Sequence, residues 1–235
     1  MESYVKHKKG YSRFIIILIS VAFIALIISC PNFIINHFYL TSVIFLVISF
    51  FPLFLRFEKR KVSSRELVIL AILAAIAAVS RIPFASIPSV QPTTFVIIMT
   101  AIVFGAESGF VVGALAAIVS NLFLGQGPWT PWQMYGWGMI GLVAGLLNNS
   151  LILQNKFSRI LFGFFAGIIF GWIMNLWVIF SMGTEFNFKS LLVFYTTSFP
   201  HDLAHGLSNA FFLAVFGNSW LKTLRRFQRK YGLLL

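Results

Sequence analysis

The chain contains one cysteine, Cys30, six acidic residues among 235, and charge at only 10% of its positions. A lone cysteine inside an apolar run has no partner for an internal disulfide, so no disulfide framework holds this fold. Scarce charge beside 59% hydrophobic residues, 28 of the chain's residues being Phe, exceeds what a water-soluble core uses and fits a chain dissolved in lipid. Also missing are a Gly-x-Ser-x-Gly nucleophile turn and a phosphate-cradling Gly-x-x-x-x-Gly-Lys-Ser/Thr loop, which excludes ATP use by that route. Polar residues do not recur through the full depth of the apolar segments, as a channel lined along its length requires. The first apolar run ends at Cys30-Pro31 without a small-x-small cleavage site, so it reads as a retained helix rather than a signal peptide.

What is present is charge of one sign. Eighteen Lys and Arg give a formal net charge of +12, but they cluster beside apolar segments rather than on one helix face or in a nucleic-acid recognition motif. They read as positive-inside topology signals. Lys6, Lys8, Lys9 and Arg13 precede a run from Phe14 to Cys30. Pro31, Asn32 and Asn36 turn the chain, and a run from Phe38 to Leu55 ends at Arg56, Lys59, Arg60 and Lys61. Residues 1–62 are therefore expected to form a basic tail and a transmembrane hairpin, and residues 63–235 a separate core.

In that core six spans are expected: Glu66 to Ser80, Thr93 to Phe104, the Gly105 helix, Met134 to Leu153, Phe157 to Ser181 and His201 to Leu221. Ala71-x-x-x-Ala75 and Ala74-x-x-x-Ala78 shave a face of the first to methyl groups. Gly105, Gly109, Gly113 and Ala117 form a packing stripe that Asn121 continues; Gly163, Gly167 and Gly171 form another that Asn175 continues. Pro83, Pro88 and Pro92 forbid continuous helix between the first two spans. Placing both termini in the cytoplasm leaves only Arg81 and Lys189 of the basic residues outside. The expected fold class is all-α, a polytopic membrane protein with a six-helix core and an N-terminal two-helix hairpin.

With that topology Arg81, Gln91, Asn121, Gln126, Trp129, Thr130, Trp132, Gln133, Asn175, His201, His205 and Asn209 all fall in outer loops or outer halves of helices. Polar side chains in hydrocarbon are costly unless paired or facing a wet cavity, which points to one outward-facing cavity. Its centre is Gln126-Gly-Pro-Trp-Thr-Pro-Trp-Gln133, where two indoles and two amides on a proline-stiffened loop can stack on a flat molecule and bond its edges. Trp137, Trp172, Trp177 and Trp220 lack that context and read as interfacial-belt residues. His201-Asp-Leu-Ala-His205 sets two imidazoles one helical turn apart, as in a zinc-binding helix. An intramembrane metalloprotease is thus the rival reading, although no third ligand is evident and Asp stands where Glu usually acts.

The alanine-rich span, Gln91-Pro92 and the run Asn121-Leu-Phe-Leu-Gly-Gln-Gly-Pro-Trp-Thr-Pro-Trp-Gln133 together resemble an S component of an energy-coupling factor (ECF) transporter, in the pattern of its cobalamin-related branch. The resemblance covers about Ser64 to Arg225 and leaves the hairpin unexplained. It implies a non-enzymatic transport subunit with no cofactor or metal of its own. Such a subunit captures a vitamin outside, topples in the bilayer and docks on a transmembrane T subunit, while two cytoplasmic ATPases use ATP and Mg. It further implies that Ala71, Ala74, Ala75 and Ala78 meet the T subunit, and that Arg81–Pro92 and the Trp129 loop bind substrate. A corrinoid, with a flat macrocycle edged by amides, fits the indoles and carboxamides. A cobalamin precursor such as the benzimidazole base is the alternative, and His201 or His205 as a cobalt ligand stays open.

Overall fold

A computed structural model describes residues 64–182 and 187–231 throughout, and scattered positions between 18 and 47. The hairpin expected at 14–55 lies for the most part outside the described residues. The chain divides into two compact units, Met1–Val62 with Ile179–Leu191, and Ser63–Val178 with Leu192–Leu235. Within the first, residues 38–44 are helical, and the amide and hydroxyl of Thr41 both donate to the His37 carbonyl.

The second unit holds α1 (Ser64–Val79), α2 (Thr93–Phe104), α3 (Ala106–Leu124), α4 (Thr130–Leu146), the four-residue α5 (Leu151–Gln154), α6 (Lys156–Ser181) as far as Val178 and α7 (Phe188–Tyr231) from Leu192. A 3-10 turn at Ile82–Phe84 follows α1. Among the described residues every regular element is helical. The segments Ser64–Phe84, Ala106–Leu124 and Lys156–Ser181 are long and apolar enough to cross a membrane. Their outer faces carry Leu67, Ile72, Phe165 and Ile169, all exposed. Such a surface fits a chain embedded in lipid.

Every residue of α2 is buried, so this 12-residue helix is the axis around which the others pack. The glycine stripes act as the sequence suggests. A Cβ at Gly109 would lie 2.7 Å from the Gly141 carbonyl oxygen, and one at Gly113 would lie 2.5 Å from that of Trp137. The backbones of α3 and α4 therefore touch. On the other side, Gly167 of α6 faces the backbone of Gly206 in α7, and Gly171 leaves room for the carboxylate of Asp202. Close backbone approach of this kind lets apolar helices associate without a hydrophobic drive between them.

Both ends of two helices differ from expectation: α4 stops at Leu146, short of the expected Leu153, and α7 continues to Tyr231, past the expected Leu221. α4 begins at Thr130, inside the supposed loop, because Pro131 suits the first helical turn, where its missing N–H costs nothing. And α7 does not start at Pro200; it runs through it as one 44-residue helix. The preceding Thr196 and Thr197 return their hydroxyls to the carbonyls of Leu192 and Val193, bonds of the kind that let a helix bend, one turn before Pro200 leaves the Thr196 carbonyl without its backbone donor.

Candidate functional site

The sharp end of α1 and the loop after it deliver Arg81 and Gln91 to the ends of α3 and α4. Arg81 Nε donates to Gln91 Oε1 at 2.9 Å, and its Nη1 donates to Ser120 Oγ and, at 3.0 Å, to Asn121 Oδ1. The guanidinium carbon sits 4.9 Å from the ring centre of Trp137, a cation–π contact that partly replaces lost hydration. Among the described residues no carboxylate pairs with Arg81. Half-buried cations ordinarily recruit one; this one is held by neutral oxygens alone.

Asn121 is 1% exposed and links the elements. Its amide nitrogen donates to Thr130 Oγ1 at 2.9 Å and to Gln133 Oε1 at 2.7 Å, while Thr130 Oγ1 donates to Gln126 Oε1 at 2.9 Å. Beneath it the Trp137 indole donates to Thr94 Oγ1 at 3.1 Å, and Thr94 Oγ1 lies 3.0 Å from His205 Nε2. Trp137 also stacks on Phe170 at 4.7 Å, and Phe170 meets the His205 ring edge-on. The backbone N–H of Gln91 donates to Ser208 Oγ at 3.1 Å, which ties α7 to the cluster.

Seven of the expected residues thus join one connected polar network: Arg81, Gln91, Asn121, Gln126, Thr130, Gln133 and His205. The remainder do not. Asn175 belongs to a separate group, donating to Ser198 at 2.6 Å, with Ser198 donating to Asp202 at 3.0 Å. Asn209 is fully buried and donates to the Gly163 carbonyl at 3.1 Å, which is helix-to-helix glue. Trp132 is 5% exposed, whereas Trp129 sets its ring against Trp177 at 5.9 Å.

His201 is exposed while His205 is buried, so the two imidazoles share no site. Among the described residues no group of three or more His, Cys, Asp or Glu is placed to hold a metal. The small-residue face also divides. Ala74 and Ala78 are 3% and 0% exposed and pack inward, while Ala71 and Ala75 are open on the surface.

Sequence reasoning missed Trp137, Ser120, Thr94 and Ser208. Trp137 reads as a belt residue, yet it is wholly buried under Arg81. The available signal was register, since Gln133, Trp137 and Gly141 follow one another at four-residue spacing and share a helix face.

With this geometry in hand, comparison with known proteins is specific. The family profile for the ECF-type riboflavin transporter, S component, matches residues 61–226. The chain belongs to that family. It is a transport subunit, the substrate-specific binding component, and a multi-pass membrane protein. The matched description is of the riboflavin type and does not single out the cobalamin-related branch. A UPF0397 protein of Aliivibrio fischeri strain MJ11 is 27% identical over 171 residues, which cover 70% of this chain and 92% of the relative. A UPF0397 protein of Vibrio atlanticus is 33% identical over 102 residues, 41% of this chain and 54% of that one. No solved structure matches.

Proposed function

We propose that this S component captures a flat, conjugated vitamin with a carbonyl- or amide-rich edge at the Arg81–Asn121–Gln133 network. The observation that carries the reading is Arg81, a guanidinium seated on the Trp137 face and held only by Gln91, Ser120 and Asn121. Neutral acceptors leave its positive charge uncompensated, ready to donate to ligand oxygens, and charge-assisted bonds of this kind are the stronger sort. A flavin is the first candidate. Its ring system is planar with an imide edge, and the family carries riboflavin in its description.

A corrinoid is the second reading. The exposed Gln126 and the half-exposed Trp129 extend the network to the surface, where a large amide-fringed ligand can be gripped; a benzimidazole base is its small counterpart.

In the same proposal both termini face the cytoplasm, in keeping with the basic residues at that end of the helices. The loaded subunit topples and docks on a T subunit energised by two ATPases, through the face that holds Ala71 and Ala75. The deciding experiment is calorimetry of the purified chain with riboflavin, cobalamin and a benzimidazole base, followed by Arg81→Gln. One ligand should bind, and the substitution should weaken it ten-fold or more. Binding that is indifferent to Arg81→Gln refutes the site, and failure of all three ligands refutes the substrate class.

A further inference from the structure

A groove of about 910 Å3 opens between the start of α1 and the end of α7, at the end of the helices remote from Arg81. Val68, Ile72, Ile76, Trp220, Leu224 and Phe227 give it apolar walls, and Arg65 is the charged residue lining it. Arg65 is exposed and makes no ion pair with a described residue. Lys222, Arg226 and Arg229 are exposed on the last turns of α7 but fall on the face away from Trp220, Leu224 and Phe227, so Arg65 is the cation that addresses the groove.

Its depth and its one lining cation point to an occupant. From Arg65 to Ile76 the helix rises about 16 Å, close to half of a ~30 Å hydrocarbon core. The groove therefore runs from Arg65 to the middle of the bilayer, the depth of one leaflet. Apolar walls open along their length to the bilayer suit an acyl chain, and a neutral lipid would leave Arg65 unanswered.

We propose that this groove seats an anionic phospholipid, its phosphate against Arg65 and an acyl chain along Val68, Ile72 and Ile76. The site is independent of the substrate network and stands or falls without it. Basic side chains at an anionic headgroup contribute about 1 kcal/mol each, so loss of Arg65 should weaken retention about five-fold.

Native mass spectrometry of the purified full chain, titrated with phosphatidylglycerol and with phosphatidylcholine of the same acyl chains, tests this. Phosphatidylglycerol should be retained preferentially, Arg65→Gln should reduce its retention about five-fold toward the phosphatidylcholine level, and Ile72→Trp, which fills the groove, should lower both. Equal retention of the two lipids with no effect of Arg65→Gln overturns the proposal, as does indifference to Ile72→Trp. A benzophenone photocrosslinker at position 72 supplies a readout that needs no altered stability. Phospholipid adducts support the assignment; adducts only to a second copy or to another polypeptide overturn it.

Discussion

Gly141→Ala is the most informative single change, because one methyl group is aimed at backbone that cannot yield. The added Cβ would lie 2.2 Å from the Gly109 carbonyl oxygen, 2.3 Å from its carbonyl carbon and 2.9 Å from the Phe110 nitrogen, whereas ordinary contact begins at 3.4 Å. α3 and α4 must part by about 1 Å, a gap that forfeits roughly a quarter to a half of the dispersion energy along the seam. Overpacking a tight core costs about 1–3 kcal/mol, and with no flexible side chain to move aside the upper figure applies. The damage reaches the ligand network, since Asn121 and Gln133 sit on opposite sides of this seam and are joined by a 2.7 Å bond. Thermal unfolding in detergent, followed by circular dichroism, provides the measure, with two internal standards. Gly136→Ala meets the movable Phe170 ring at 3.1 Å and should cost about 1 kcal/mol, and Gly217→Ala, whose nearest neighbour is at 3.6 Å, should be neutral within about 0.5 kcal/mol. Equal melting of Gly141→Ala and Gly217→Ala would refute the close-approach argument.

Asn121→Ala removes three hydrogen bonds at once and should destabilise by about 2–4 kcal/mol while lowering ligand affinity at least ten-fold; calorimetry showing wild-type affinity would remove Asn121 from the site. Ala75→Leu, on the open face, should leave folding and ligand binding intact but abolish uptake by the assembled transporter, whereas Ala78→Leu, at a fully buried position, should lower the melting temperature itself. Identical behaviour of the two in both assays would show that the faces are misassigned. His205→Ala leaves Thr94 without its ring partner and should cost about 1–3 kcal/mol; His201→Ala at an exposed position should be silent, and uptake should survive metal chelation of the S component. Loss of uptake with chelator, in conditions that keep the ATPases supplied with Mg, would return the metal reading.

Much of this architecture was legible in sequence because membrane helices advertise themselves through length, one-sided charge and small-residue stripes. The stripes that hold Gly109 and Gly141, and the place of Asn121 at the end of one of them, follow from spacing on faces fixed by the helical period, whereas which stripe meets which does not. Helix boundaries at prolines were not legible. Pro131 and Pro200 carry the same local signal, yet the first sits in an opening turn and the second inside a helix whose neighbouring hydroxyls bond back to its own carbonyls. Burial of Trp137 was hidden for a different reason. An indole at a helix end is equally at home in the interfacial belt, and only the arrival of Arg81 from α1, distant in the chain, decides between the two. The division of the alanines into inward and outward pairs likewise depends on where α2 lies, which no spacing within α1 encodes.

The complete enclosure of α2 has a mechanical consequence. At 12 residues it is about 18 Å long, too short to match the hydrocarbon thickness, and a helix so short beside lipid would force the bilayer to thin around it. Sheathed by its neighbours, it reaches the groove beside α1 and α7 only through its last residue, Phe104. Hydrophobic mismatch is therefore set by its longer neighbours alone, and a tilt of the whole body would change their exposure while leaving the packing of this innermost rod untouched.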